Sequence, residues 1–489
     1  MALPRFPHYI DGAFCEAAET FESLDPFTEA PWALMPAASA ADVDRAVQAA
    51  HRALYDPAWA DMTATARGKL LTRLGDLVAE HAPRLAELET RDTGKIIRET
   101  RAQIGYVADY YRYFGGLADK LQGAHLPIDK PDMDVTLRRE PIGVVAAVVP
   151  WNSQLFLSAV KLGPALAAGC TVVLKASEEG PAPLLEFARL IDAAGFPKGV
   201  VNVLTGFGEA CGRTLTSHPL VARLAFTGGP ATARHVVRNT AENFAHTTLE
   251  LGGKSPVIVF ADADIDSAAN AIVAGVFAAS GQSCVAGSRL YVERSVQARL
   301  LDALKAKAAR IVIGDPQDPK TEMGPLATRR QRDNIEATLA RSLSAGATLV
   351  CGGKRPPARG FFFEPTIVAA ARNDTPSMAE ELFGPVLTVM PFEGEAEALN
   401  LANDSRYGLA SGLFTRDLAR AHRMIRRIRA GIVWVNTYRA VSPMAPFGGY
   451  GQSGLGREGG LESILDYSRT KSVWIRTSDD PIPDPFVMR

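Results

Sequence analysis

The chain has 489 residues, of which 47% are hydrophobic and 22% are charged, and its formal net charge is −1. That length predicts two or three domains, and the balanced charge argues against a general affinity for nucleic acid or for an acidic membrane surface. The five cysteines form no CxxC pair, so neither a metal site nor a disulfide framework is predicted, and we expect a cytoplasmic protein.

Short strands followed by helices are predicted for the N-terminal part of the chain. The first helix begins after Ser39, a residue type whose side chain commonly caps a helix N-terminus. The other predicted elements here are strands His8–Ile10 and Thr20–Leu24 and helices Ala64–Glu80, Ala82–Thr93 and Lys95–Leu121.

The last of these helices carries aromatic residues at intervals of three to four positions. They are Tyr106, Tyr110, Tyr113 and Phe114. Because that interval matches one face of a helix, we interpret the stripe as core packing rather than as a ligand site.

The segment Gly123–Glu140 breaks the helical pattern. Within it Val135–Arg139 alternates between apolar and polar residues like an exposed strand, and Lys471–Arg476 near the C-terminus alternates in the same way. These two strands are expected to pair. From the residues alone, a plain surface hairpin and a protruding ribbon that pairs with another subunit are equal possibilities.

From Gly143 onward, apolar strands alternate with helices, which predicts a parallel sheet that is covered on both faces. The predicted strands are Gly143–Val149, Thr171–Lys175, Val201–Leu204 and Val221–Phe226. Ligands of such sheets bind at the carboxyl ends of the strands. We therefore expect Pro150–Asn152, Lys175–Glu178 and Thr227–Gly229 to lie on one rim.

A second α/β unit follows, and the expected boundary between the two is at Gly252 and Gly253. Its predicted strands are Arg289–Val292, Thr348–Val350, Val386–Pro391, Ser411–Thr415 and Ile432–Val435, and its predicted helices are Gln297–Arg310, Arg329–Ala345, Glu395–Asn403 and Leu418–Ile428. Small-molecule sites often form between two such units.

The stretch Thr248–Gly287 holds the strongest chemical signal. Glu250 precedes two glycines that can take positive φ in a tight turn, and Cys284 lies between small residues that leave its sulfur facing a cleft. Loop surroundings are expected to lower the pKa of the Cys284 thiol and so to make the thiolate available. A thiolate nucleophile and a carboxylate base on a separate loop can together perform covalent catalysis followed by hydrolysis. The alternative is that Cys284 is a small buried hydrophobe, as expected for the other internal cysteines.

The cysteine of GQSC follows the glutamate of LELGGKSP by 34 residues. These two motifs at this spacing resemble those of the NAD(P)-dependent aldehyde dehydrogenase superfamily. PWN, EELFGPV, PFGG and SGLGRE extend that resemblance over nearly the whole chain. It implies an α/β fold with a Rossmann-type cofactor domain, a second α/β catalytic domain and a β ribbon for oligomerisation. The implied ranges are 1–122 and 142–252 for the NAD-binding domain, 253–452 for the catalytic domain, and 123–141 and 468–489 for the ribbon, in a homodimer or homotetramer.

The resemblance also assigns the catalytic roles. Cys284 attacks an aldehyde, Asn152 and the Cys284 amide stabilise the oxyanion, and Glu250 activates the water that releases the acid. Lys161 and Glu458 form an internal pair behind Glu250 that is either structural or part of a proton exit. From the residues alone, Asn152 could instead cap the helix that follows it.

An NAD site is implied at the strand ends and their loops. Its residues are Val148, Val149, Pro150, Trp151, Lys175, Ser177, Glu178, Gly208, Phe226, Thr227, Gly228, Gly229, Thr232, Leu251, Gly252, Glu381 and Phe383. Glu178 favours NAD+ over NADP+, because a carboxylate accepts bonds from ribose hydroxyls and repels a 2′-phosphate; an ordinary solvated pair with Lys175 is the alternative.

Two departures from the family pattern concern phosphate binding. Gly229 replaces the usual serine, and Ala233 stands near the position of the second glycine, while the GxGxxG fingerprint is absent. These departures predict weaker or looser cofactor binding.

The substrate is expected to be a small-molecule aldehyde, with no metal in the site. The implied lining residues are Leu157, Val160, Ser283, Arg439, Val441 and Phe447. Arg439 could meet a carboxylate-bearing aldehyde or simply be solvated. Alternative functions are acyl transfer to coenzyme A, whose enzymes generally lack the glutamate at position 250, and a silent homologue that would have lost one catalytic residue.

Overall fold

The computed structural model describes residues 2–487, so the last two positions of the predicted ribbon lie outside the described residues. None of the helices in that range is long and apolar enough to cross a membrane. The helices are Ala40–Tyr55, Pro57–Ala60, Ala64–Glu80, Ala82–Thr93, Ile97–Leu117, Gln154–Ala168, Ala182–Ala194, Thr214–Ser217, Pro230–Asn239, Ile265–Phe277, Gln297–Ala308, Arg329–Ser344, Pro376–Ala379, Gly394–Asn403, Leu418–Ile425 and Ser463–Asp466.

The first large sheet has eight strands. Its five central strands are parallel, and four of them were predicted, while His246–Leu251 was not; the three outer strands are antiparallel. In spatial order they are Gly454–Leu455, His246–Leu251, Val221–Gly228, Val144–Val148, Thr171–Ala176, Val201–Thr205, His8–Ile10 and Ala13–Cys15. The chain returns from a distant part of the sequence to supply the first edge strand, which the local pattern of Gly454 and Leu455 does not indicate.

The second large sheet has seven strands, parallel except for its first pair. In spatial order they are Thr348–Cys351, Thr366–Ala369, Val386–Phe392, Arg289–Glu293, Pro256–Val259, Ala410–Phe414 and Ile432–Val435. Pro256–Val259 and Thr366–Ala369 were not predicted, because a proline, a residue type that usually marks a turn, stands at the start of the first and directly before the second.

Two smaller sheets complete the fold. Glu19–Asp25 and Ala30–Ala37 form a hairpin, and Ser468–Arg476 pairs antiparallel with Met133–Pro141, which in turn pairs with Ala124–His125. The predicted pairing of the two alternating strands is therefore confirmed.

Buried side chains cover both faces of each large sheet. Helix Ile97–Leu117 packs against Ala64–Glu80 and Gln154–Ala168, and its Tyr111 and Phe114 are fully buried there. The rigid, close-packed layers fix the strand ends, and the strand ends in turn position the segments between the two sheets.

The chain passes from the first sheet to the second through Gly252 and Gly253. The predicted positive φ at these glycines is wrong, since neither adopts it. Glycine is required here because neighbouring atoms approach these two backbone positions too closely to leave room for a side chain. A Cβ on Gly252 would lie 1.8 Å from Glu381 Oε2, and one on Gly253 would lie 2.6 Å from the carbonyl oxygen of Cys284.

Candidate active site

A cavity of about 780 Å³ lies between the two large sheets. On one side it meets the carboxyl ends of first-sheet strands, and on the other it meets the segments that lead into second-sheet strands. The candidate residues that it brings together are Pro150, Trp151, Asn152, Leu157, Val160, Thr227, Gly228, Gly229, Glu250, Leu251, Gly252, Ser283, Cys284, Glu381, Phe383, Arg439, Val441, Phe447 and Glu458.

The other candidates do not line this cavity. Lys161 contacts it indirectly, because its amine bonds to Glu458 and Thr227. The remaining ones belong to the first sheet, its strand ends and the helices that follow: Val148, Val149, Lys175, Ser177, Glu178, Gly208, Phe226 and Thr232.

A strained turn presents Cys284. Ala279, Ser280 and Gly281 have successive φ values of 52°, 53° and 74°, and each such non-glycine residue costs about 1–3 kcal/mol. The Glu99 carboxylate accepts the Ala279 N–H at 2.9 and 3.0 Å, so contacts from another element hold the turn. Sequence reasoning missed Glu99, whose one local signal is its place in the first turn of a helix.

The pKa of the Cys284 thiol is raised to about 12. Burial is the main cause, and the charges of Glu381 and Glu250 add to it, while Arg439 opposes the shift. The expectation that loop surroundings lower this pKa is therefore wrong. The thiol is buried, and the two carboxylates of Glu250 and Glu381 face the same cavity, so both influences disfavour the thiolate.

This raised pKa predicts how the thiol reacts with an alkylating reagent. Without cofactor, alkylation of Cys284 by iodoacetamide should accelerate about tenfold per pH unit from pH 7 to 9, because well below its pKa the thiolate fraction rises tenfold per unit. Mass spectrometry of the Cys284 peptide measures the rate, and the Cys284→Ala protein reports labelling elsewhere. A rate that levels off below pH 8 would contradict the prediction.

The Asn152 amide points toward the cysteine loop. Its Nδ2 donates to the carbonyl oxygen of Gln282 at 3.1 Å, two residues before Cys284. Helix Gln154–Ala168 has Ser153 as its N-cap, with no side-chain capping bond, so the capping alternative for Asn152 is wrong.

The neighbouring Ser153 is held by two side chains from another part of the chain. Its Oγ accepts from Lys95 Nζ at 3.0 Å and from Gln103 Nε2 at 3.2 Å, and donates to the Asn152 carbonyl at 2.6 Å. These bonds fix the backbone that carries the Asn152 amide.

Glu250 lies in a strand rather than in the predicted loop, opposite Thr227 on one side and Gly454 on the other. Neither carboxylate oxygen has a hydrogen-bond partner among the described residues. Burial and then the Glu458 charge raise the pKa of Glu250, and Lys161 and Arg457 oppose that shift. A carboxylate with a raised pKa is a stronger base than an ordinary one, and its unpartnered oxygens are free to accept a proton from water.

Lys161 and Glu458 form the predicted pair. Both are buried, and Lys161 Nζ also donates to Thr227 Oγ1 at 2.7 Å. Because Thr227 is in register with Glu250, the pair lies beside the candidate base. The predicted role of this pair, either structural support or part of a proton exit, stays a prediction.

Two loops meet on the far side of the cavity. The rings of Trp151 and Phe383 pack edge to face, with centroids 5.4 Å apart. The carboxylate of Glu381 accepts the Gly253 N–H at 3.0 Å, and burial raises the pKa of Glu381 to about 7. These contacts join the ends of the two sheets around the candidate cofactor residues.

The residues that would hold a dinucleotide fit that group. Gly229 is the N-cap of helix Pro230–Asn239, no side chain caps this end, and a Cβ on Gly229 would meet nothing within 4 Å. An open helix N-terminus beside bare backbone is suited to a pyrophosphate. At the next strand end, Lys175 Nζ lies 3.5 Å from Glu178 Oε2.

The interpretation of the aromatic stripe as core packing is confirmed for Tyr110 and Phe114, which are buried core residues, and Tyr106 and Tyr113 pack against that core. Tyr106 and Tyr110 line the cavity, and Tyr106 donates to the carbonyl oxygen of Val441 at 2.5 Å. The spacing of four that places the two cavity tyrosines on one helix face was the available signal.

Comparison with known proteins identifies the family. The model of the aldehyde dehydrogenase family matches residues 14–473. A curated relative from Acinetobacter baylyi, named (Z)-2-((N-methylformamido)methylene)-5-hydroxybutyrolactone dehydrogenase, is 61% identical over 100% of both chains.

Solved structures of aldehyde dehydrogenases are also similar to this chain. The NAD+ complex of an aldehyde dehydrogenase from Bacillus cereus is 40% identical, with a TM-score of 0.95 and 97% of each chain covered. An NAD+ complex of betaine aldehyde dehydrogenase from Staphylococcus aureus is 38% identical, with a TM-score of 0.96 and coverage of 99% of this chain and 96% of the other. The chain therefore belongs to the aldehyde dehydrogenase family and is an oxidoreductase that acts on aldehydes.

Proposed function

We propose that this protein oxidises an aldehyde to the carboxylic acid with NAD+ through covalent intermediates on Cys284. The observation that carries the proposal is a single cavity that holds the Cys284 thiol, the Asn152 amide and the unpartnered Glu250 carboxylate. The presence of Glu250 favours release of the acid to water over transfer to coenzyme A.

Each catalytic residue has a defined task in this mechanism. The Cys284 sulfur attacks the carbonyl carbon, and the oxyanion of the thiohemiacetal accepts hydrogen bonds from the Asn152 amide and the Cys284 N–H. A dinucleotide held at the open helix N-terminus of Gly229 and by Glu178 would supply the hydride acceptor that conversion of the thiohemiacetal to the thioester requires. Glu250 then takes a proton from a water molecule, which attacks the thioester and frees Cys284.

We propose that NAD+ is preferred over NADP+. Glu178 is partly exposed where the strand Thr171–Ala176 ends, and Lys175 is the nearby cation. A carboxylate at this point accepts bonds from ribose hydroxyls and repels a phosphate at the 2′ position. Related structures that contain NAD+ support this proposal.

A comparison of the two cofactors tests the proposal. We expect one NADH and one carboxylic acid per aldehyde, and a higher kcat/KM with NAD+ than with NADP+. Glu178→Gln should narrow that preference by about tenfold, because it removes the charge repulsion. Equal kcat/KM values for both cofactors in the unaltered protein would contradict the role of Glu178.

We also propose a substrate class. A 5-hydroxybutyrolactone is the cyclic form of a 4-oxobutanoate, in which an aldehyde and a carboxylate stand on one short chain. The 61% identity to the relative named for such a lactone supports a substrate of this class. A panel of 4-oxo acids and unsubstituted aliphatic aldehydes, scored by kcat/KM, would measure the preference.

The domain ranges and the assembly are proposals too. The chain leaves the first sheet at Leu251 and enters the second at Pro256, which supports a boundary at Gly252 and Gly253. Strand Ser468–Arg476 is an edge strand with exposed Trp474 and Ile475, which supports a ribbon that pairs with a second copy in a homodimer or homotetramer. The five unpaired cysteines support a cytoplasmic location.

A further inference from the structure

Arg439 occupies an unusual position at the wall of the cavity. It has a φ of 61°, a conformation that few residues other than glycine adopt, and it lines the cavity together with Ser283 and Cys284. Strain of this kind persists only where the surrounding structure holds it, and it is concentrated at functional sites.

Contacts on both sides fix the loop that carries Arg439. Tyr438 Oη donates to the carbonyl oxygen of Val285 at 2.8 Å, which ties the loop to the residue after the nucleophile. Trp434 Nε1 donates to the Ala440 carbonyl at 2.9 Å, and Tyr106 bonds to Val441 across the cavity wall. The backbone on both sides of Arg439 is therefore anchored, and its side chain starts from a fixed place.

The guanidinium of Arg439 has hydrogen-bond donors that no protein group uses among the described residues. Its Nη1 donates to the carbonyl oxygen of Ala274 at 3.0 Å, and within residues 2–487 no carboxylate forms an ion pair with it. The other cation in the cavity wall, Lys95, already donates to Glu89, Gln103 and Ser153. Arg439 is thus the cation with donors left for a ligand.

We propose that Arg439 binds a carboxylate of the substrate, so that the site takes the open-chain aldehyde acid rather than its cyclic hydroxylactone. Arginine offers a planar pair of donors that matches a carboxylate, and such bonds are stronger than those between neutral groups. This inference rests on the proposed function, and it assigns the residue that distinguishes acidic from neutral aldehydes.

The choice of the open chain follows from the chemistry of Cys284. In the hydroxylactone, carbon 5 is tetrahedral and offers no aldehyde carbonyl to a thiolate. On ring opening, the bond from carbon 5 to the ring oxygen breaks, the hydroxyl on carbon 5 becomes the aldehyde and its proton leaves to solvent. The ring oxygen departs as part of a carboxylate, which Arg439 binds while the aldehyde carbon meets Cys284.

A matched pair of substrates tests this assignment. The probes are 4-oxobutanoate and its neutral methyl ester, assayed with Arg439→Asn, a variant whose side chain tolerates positive φ. We expect kcat/KM for 4-oxobutanoate to fall about 10- to 100-fold, mainly through a higher KM, and that for the ester to change by less than about threefold. Arg310→Asn, at an exposed arginine outside the cavity wall, should leave both values unchanged.

A binding measurement gives a readout that does not depend on turnover. Succinate should bind the unaltered protein and bind Arg439→Asn at least about tenfold more weakly by calorimetry, with thermal unfolding unchanged. Equal losses for both substrates would mean that Arg439 only shapes its loop, and no loss for either would mean that it does not meet the substrate; both results overturn the proposal. If the unaltered protein oxidises neither 4-oxobutanoate nor its ester, that result would instead contradict the proposed substrate class.

Discussion

Replacing Cys284 with alanine should reduce aldehyde oxidation by at least about 10⁴-fold. The sulfur forms the bond that turns one difficult step into two easier ones, and no other cysteine among the described residues lines the cavity. Loss of the nucleophile removes the covalent route as a whole, and triad nucleophiles in other enzymes show effects of this size or larger. Steady-state NADH formation with a saturating aldehyde measures the loss.

Cofactor binding separates this loss from a loss of folding. Cys284→Ala should bind NAD+ with a Kd close to that of the unaltered protein, because the helix N-terminus at Gly229 and the strand end at Lys175 and Glu178 do not depend on the thiol. Cys351→Ala is the matched control, since Cys351 ends an edge strand of the second sheet and should leave activity unchanged. Retained oxidation in Cys284→Ala would eliminate the covalent mechanism.

The sequence predicts the parts of this site that depend on local chemistry. Cys284, Glu250 and Asn152 stand out because their residue types, spacing and neighbours match a known pattern, and the structure places all three around one cavity. The parallel strands are predicted well, because continuous apolar runs between helical patterns leave few other arrangements.

What the sequence cannot predict depends on contacts between distant segments. Glu99 lies 180 residues from the Ala279 N–H that it holds, and nothing near position 99 indicates that partner. The pKa of Cys284 was predicted in the wrong direction because its main cause, burial between two sheets, exists only in the folded protein. The reason for glycine at position 252, a close approach by Glu381, is likewise visible only in three dimensions.

Replacing Glu250 with glutamine should separate the two halves of the reaction. Glutamine has the same shape but cannot take a proton from water, so hydrolysis of the thioester on Cys284 should slow by about 10²- to 10⁴-fold. Formation of the thioester should not slow, because the Glu250 charge raises the pKa of Cys284 and its removal makes the thiolate easier to form. Rapid mixing should therefore show a burst of about one NADH per active site, followed by slow turnover.

The contrast with Asn152→Ala makes this result specific. Losing a donor to the oxyanion typically costs about 3–4 kcal/mol at the first transition state, so that variant should be slow from the first turnover and show no burst. Glu250→Gln with uniformly slow kinetics and no burst would contradict the assignment of Glu250 as the base. The two variants thus assign the buried carboxylate to the second step and the amide to the first, because the first needs an oxyanion stabilised and the second needs a water deprotonated.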